Sequence, residues 1–191
     1  MTAAERRRRR IRAAMSASLT TAQARRAEAI AFLIDAYDGV GVRPGKGVPH
    51  AEAVADVLRS AGYAEGTQIL GLLHDVIEDT PRTADDLRDA FGEPVAATVG
   101  ALTEDPTISH YAQRKRDLRA RTVAAGSPAV DVAIADKIAS LRHAQLTHSQ
   151  VSPRKLRHYA VMLQLALTAG LAPALCPQLE RLLSQAAPAS A

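Results

Sequence analysis

Residues 71–80 read Gly71-Leu72-Leu73-His74-Asp75-Val76-Ile77-Glu78-Asp79-Thr80. Leu72, Leu73, Val76 and Ile77 recur at helical spacing, and between them stand four groups able to bind metal or move protons: His74, Asp75, Glu78 and Asp79. With about 100° between successive residues of a helix, His74 stacks on Glu78 and Asp75 on Asp79, so the four share an arc of roughly 140°. The pattern predicts one polar wall rising from a buried helix that runs from about Gly66 to Thr80 and stops at Pro81.

The flanking sequence repeats the helical period. Thr20 to Tyr37 carries Ala27, Ile30, Ala31, Leu33, Ile34 and Tyr37 on one stripe, and Gly39 and Gly41 end it. A glycine- and proline-rich loop precedes His50, and a helix is expected to resume near Ala51 and close at Gly62. Thr83 with Asp86 resembles a capping box, and Gly92 closes that short helix before Pro94 opens the next, which reaches Leu102. A charged segment from about Ser109 to Ala125 follows a loop at 103–109. Ser127-Pro128 and Ser152-Pro153 each read as a serine N-cap with proline at the first helical position, opening helices to Leu146 and Ala169. A last helix spans about Pro177 to Gln185. No run of alternating β-branched residues competes, so the expected class is all-α, a single multi-helix bundle of eight or nine helices.

The chain has 191 residues, enough for one domain with its own core, and its single cysteine, Cys176, excludes an internal disulfide. Cys176 reads as an inert, partly buried thiol in a reducing compartment. No apolar run is long enough to span a membrane, and no secretion signal is evident at the N-terminus, so a cytoplasmic protein is expected. The net charge of +4 misleads, because residues 5–12 hold six of the 24 basic groups and one of the 20 acidic ones. Without them the balance is −1, which does not favour a specific nucleic-acid surface. The expected organisation is a frayed Arg-rich arm at 1–15, one domain at 16–185, and a frayed tail at 186–191.

The chemistry lies in acids placed where stability alone would not put them. Burying two carboxylates and an imidazole without partners costs several kcal/mol, and a divalent cation removes that cost. Histidine with carboxylate suits manganese, iron or zinc better than calcium. Further ligands must come from other helices, and His50 and Asp136, the latter an acid inside the apolar run 134–138, are the candidates.

The order His50, His74-Asp75, Asp136 resembles the ligand signature of the HD-domain phosphohydrolases. The wider text, His74 to Thr80, Thr83, Leu87, Phe91-Gly92, Val95, Leu102-Thr103 and Ala135-Asp136-Lys137 with Leu141-Arg142, is similar to the hydrolase domain of RelA/SpoT proteins and of small stand-alone alarmone hydrolases. The resemblance covers roughly residues 25–170 and implies that His50, His74, Asp75 and Asp136 hold one metal, usually manganese, with Glu78 and Asp79 as the catalytic acids. The implied reaction is hydrolysis of the 3′-pyrophosphate of ppGpp or pppGpp to GDP or GTP and pyrophosphate, so the partner is a small nucleotide. Lys155 and Tyr159 resemble a basic and tyrosine pair that contacts the nucleotide in the stand-alone hydrolases. Arg43, Lys46, Lys137 and Arg142 are cations available to the phosphates, Lys137 equally as an ion-pair partner of Asp75 or Glu78, and Ser140 completes the candidate substrate contacts. The pattern departs near the substrate: Arg43 and Lys46 stand at unusual offsets, Ala51 follows His50, Ser140 replaces an asparagine, and His143 replaces Thr or Asp. The altered loop before His50 motivates one alternative, an HD phosphohydrolase for another phosphorylated nucleotide or cofactor; the Arg arm motivates another, a non-catalytic module that uses it to reach RNA or lipid.

Overall fold

The computed structural model describes residues 21–186, with side chains from 23 onward, and the expected arm at 1–15 and the last five residues lie outside that range. Among the described residues all regular structure is helical: α1 Thr21–Ala36, α2 Val48–Ser60, α3 Glu65–Leu73, α4 Val76–Asp79, α5 Ala84–Phe91, α6 Glu93–Leu102, α7 Tyr111–Ala124, α8 Ser127–Leu146, α9 Pro153–Thr168 and α10 Cys176–Ala186. The all-α expectation is met, and α3 with α4 forms one interrupted helix.

α8 is the axis of the bundle. From Ala129 to Ala135 every side chain is buried, whatever its direction, because α2 and α3 pack on one side, α6 and α7 on another, and α9 and α10 close the rest. A helix apolar all round must be enclosed by others. Its buried acid near the start, Asp131, is satisfied by Tyr63 Oη at 3.0 Å and Ser127 Oγ at 2.9 Å, so it is a structural group. That second bond corrects the N-cap expectation for Ser127. Gly126, at φ 83°, is the residue before the helix, and Ser127 bonds forward to Asp131. Ser152 does cap α9, its Oγ accepting from Lys155 N at 3.3 Å. The Thr83–Asp86 capping box is present in both directions.

α2 begins three residues before the expected Ala51, with Gly47 ahead of it and Pro49 in its first turn, so His50 belongs to the helix rather than to the loop. Proline is tolerated there because the first N–H groups have no intrahelical partner. His50 therefore points from a rigid turn. α2 and α3 approach closely at Gly71: a Cβ there would stand 2.8 Å from Leu58 Cδ1 and 3.3 Å from the Ala55 backbone nitrogen. Glycine at 71 thus draws the helix bearing His50 against the one bearing His74.

Candidate metal centre and cavity

The predicted wall is broken at its middle. α3 ends at Leu73 and α4 starts at Val76; between them the Gly71 carbonyl accepts from His74 Nδ1 at 2.8 Å, and Asp75 settles at φ −98°, ψ −2°. A side chain thus claims a main-chain acceptor of the helix, and the backbone relaxes into the bridge region, where functional residues often sit. The kink separates the two expected stacks. His74 and Asp75 turn toward α8, Glu78 lies at the rim, and Asp79 faces the loop before α2.

Three helices converge on the imidazole. His50 Nε2 is 3.0 Å from Asp136 Oδ1, His74 Nε2 is 4.0 Å from the same oxygen, and His74 Nε2 is 3.3 Å from Asp75 Oδ1. One atom each from His50, His74 and Asp136 falls within a sphere that a single ion could bridge, all within 4.8 Å of one another. His74 Nε2 is buried without a hydrogen-bond partner. With Nδ1 donating to Gly71, Nε2 is directed at the carboxylates, where a proton or a bound cation offsets their charge. Burial disfavours charge on His74, yet Asp75, Asp136 and the Gly71 carbonyl outweigh it and lift the imidazole to about 9. Asp75 and Asp136 move the other way: burial opposes their ionisation, but His74 and Lys46 beside Asp75, and Lys137 and His50 beside Asp136, hold both carboxyls well below the usual range. The centre is organised for positive charge, and the donors of His50, His74 and Asp136 fit one divalent ion, with Asp75 beside them at 3.3 Å from His74 Nε2.

Cations from two sides neutralise these acids. Lys46 Nζ pairs with Asp75 Oδ2 and lies 3.5 Å from Asp79 Oδ2. Lys137 Nζ pairs with Asp136 Oδ2 at 2.9 Å, not with Asp75 or Glu78. Glu78 accepts from the Glu104 backbone N–H at 3.3 Å; partial burial and the Asp75 charge push its carboxyl upward. The loop that delivers Lys46 leans on α8, for a Cβ at Gly45 (φ 77°) would fall 2.9 Å from His143 Cδ2. Glycine is favoured there by its positive φ, whereas the exposed His143 ring could give way.

Beyond the acids opens a cavity of about 410 Å³, in the range of small-molecule sites. Its walls include Arg43, Lys46, Lys137, Ser140, Lys155 and Tyr159, six of the seven substrate contacts expected from sequence; Arg142 is exposed and lies outside the lining. Asp79 also lies outside the lining and contacts Lys46 instead. Tyr159 is buried between two ammonium groups, Lys137 Nζ 5.7 Å and Lys155 Nζ 5.6 Å from its ring centre. Sequence reading missed His158, whose Nδ1 accepts a hydrogen bond from Arg119 Nη1 at 2.8 Å. Burial, reinforced by Lys137, Lys115 and Arg119, drives His158 down to about 3, so it is a neutral wall residue. Glu104 was also missed, as was Arg154, whose guanidinium lies 4.1 Å from the Tyr111 ring centre and joins α9 to α7. No periodicity marks these residues: His158 and Arg154 meet their partners only through the packing of α7 on α9, and Glu104 sits in the loop between α6 and α7.

A sequence profile of the family described as HD domain matches residues 29–162, more than half of the chain. The chain belongs to the HD-domain family. Its similarity extends to a probable guanosine-3′,5′-bis(diphosphate) 3′-pyrophosphohydrolase of Synechocystis, 31% identical over 119 residues that make up 59% of this chain and 15% of that protein. The guanosine-3′,5′-bis(diphosphate) 3′-pyrophosphohydrolase MESH1 of Danio rerio is 32% identical over 97 residues, 50% of this chain and 53% of that one. This HD domain thus spans about half or less of these curated relatives. In three dimensions it is similar to a metazoan SpoT ortholog described as hydrolysing ppGpp, with a TM-score of 0.66 over 83% of this chain and 93% of that chain. At 23% identity that likeness carries the fold. No helix among the described residues is long and apolar enough to cross a membrane.

Proposed function

We propose that this HD domain is a manganese-dependent hydrolase that removes the 3′-pyrophosphate of ppGpp or pppGpp, releasing pyrophosphate and GDP or GTP in the cytoplasm. The observation that carries the reading is the partnerless, buried His74 Nε2 facing the Asp75 and Asp136 carboxylates at the end of a cation-lined cavity. The names of the Synechocystis and Danio rerio relatives select the substrate from among phosphorylated nucleotides.

His50, His74, Asp75 and Asp136 would hold the metal, which would supply an acidified water and polarise a phosphoryl oxygen. Glu78, its carboxyl raised by burial and by Asp75 and set at the rim of the cavity, takes the proton of the attacking water. The water oxygen bonds to the phosphorus next to the ribose; the bond from that phosphorus to the 3′ oxygen breaks, and the 3′ oxygen leaves with the electron pair and gains a proton from solvent. Burial opposes charge on Lys46, but Asp75 and Asp136 keep its ammonium protonated, so it stabilises the developing negative charge. Asp79, whose Oδ2 is 3.5 Å from Lys46 Nζ and outside the cavity lining, acts in this reading through the Lys46 ammonium. Arg43, Lys137 and Lys155 face the phosphates, and Ser140 and Tyr159 line the wall between them.

The test is pyrophosphate release from ppGpp by purified protein with manganese. Glu78→Gln and Asp75→Ala should each reduce it by about 10²-fold or more. Full activity in Asp75→Ala would remove the ligand assignment, and turnover of a different nucleotide with ppGpp left intact would remove the substrate.

A further inference from the structure

The cations around the cavity are not equally free to meet a phosphate. Lys46 is paired with Asp75, Lys137 with Asp136, and Arg119 donates to His158. Arg114 and Lys115, both lining the cavity from α7, are held together by the carboxylate of Glu104. Arg114 is fixed twice over, since its Nη1 also donates to the carbonyls of Ile108 at 2.8 Å and Ser109 at 3.1 Å. Lys115 is not: among the described residues Glu104 is its one acidic partner.

Glu104 itself is anchored from behind. Arg121 donates to the carbonyls of Gly100 at 2.9 Å and Thr103 at 2.9 Å, closing the end of α6 just before Glu104. The Glu104 backbone N–H is bound to Glu78, so the main chain there is part of the hydrolytic end of the cavity while the side chain reaches toward its cationic wall. Burial opposes ionisation of Glu104, yet Lys115 and Arg114 hold its carboxyl below the usual range. A charged acid in the wall of an anion site is costly to the anion, and Glu104 sits on a turn braced by Arg121.

Resting on the reading of this cavity as a site for a polyphosphorylated nucleotide, we propose that Glu104 is a specificity-determining counter-charge that withholds Lys115 from outlying phosphates and so limits how much anionic charge the cavity accepts. Substrates with fewer distal phosphates are then admitted at little disadvantage relative to those with more. Glu104→Gln preserves the shape and the backbone bond to Glu78 and releases Lys115.

The experiment is calorimetric titration of the full chain with inorganic tripolyphosphate and with pyrophosphate, at one ionic strength in manganese buffer. Glu104→Gln should bind tripolyphosphate about three- to tenfold more tightly than wild type, with a smaller gain for pyrophosphate. Adding Lys115→Met should abolish the gain. Adding Arg116→Gln instead, which removes an exposed charge on the same helix outside the cavity, should leave it. A gain that survives Lys115→Met, or no gain at all, overturns the proposal. Should Glu104→Gln fail to fold, acetylation footprinting of wild type decides: Lys115 should be equally protected with and without tripolyphosphate, and added protection by the ligand overturns the idea. Because the probe is inorganic, a chain that binds it yet leaves ppGpp intact fails the functional reading alone.

Discussion

His158 is a buried neutral histidine in a ring of cations, and that predicts a specific acid sensitivity. Its side chain faces Arg119, which donates to Nδ1, with Lys137 and Lys115 adding positive potential and Asp136 partly offsetting it. Folding lowers the imidazole from 6.5 to about 3. Between those values the unfolded chain binds one proton more than the folded chain, so stability falls as pH falls. The stability is intact above pH 6.5 and is lost progressively toward pH 3. At pH 5 the linkage amounts to roughly 2 kcal/mol. Urea unfolding at pH 7.5 and pH 5.0 of wild type and of His158→Gln, whose amide oxygen can still accept from Arg119, isolates this one group, since every other titration is common to both. Wild type should lose about 2 kcal/mol more than the variant on acidification. Equal losses would refute the claim that His158 is held neutral, and a greater loss in the variant would reverse its sign.

Other substitutions test how the centre is assembled. Gly71→Ala should destabilise the fold by about 1–3 kcal/mol by pushing α2 from α3, and Leu58→Val in the same chain should recover part of it, as read by thermal unfolding; an unchanged melting temperature would show that the helices are not in forced contact. Lys46→Met removes the cation paired with Asp75 and should tighten manganese binding by about three- to tenfold in calorimetry, whereas weaker binding would mean that Lys46 orients the ligands instead of competing with the ion. Thr83→Ala should cost about 1 kcal/mol in urea unfolding through loss of the capping box, with manganese affinity unaltered.

The elements were largely legible because their signals are local. Helical period, glycine at stops and proline near starts locate most helices within a few residues, and the Thr83–Asp86 box is visible as two residue types at one spacing. Local signals also explain the errors. Serine before proline looks the same at 127 and 152, but at 127 a buried acid four residues on claims the hydroxyl. The break between α3 and α4 depends on His74 bonding the Gly71 carbonyl, a choice that the pull of Asp136 from another helix helps to decide.

By itself the sequence determined an all-α chain whose buried acids on apolar helices demand a compensating charge wherever they end up, and its resemblance to the HD-domain phosphohydrolases implied His50, His74, Asp75 and Asp136 as the ligands. Only the tertiary structure decided how those residues are used. It turned Asp79 toward Lys46, paired Lys137 with Asp136, left Arg142 outside the cavity, and brought Glu104, Arg119 and His158 into its walls. The reason is one of range: capping and periodicity act within a few residues along the chain, whereas the pairing of charges across a cavity depends on which helices pack side by side.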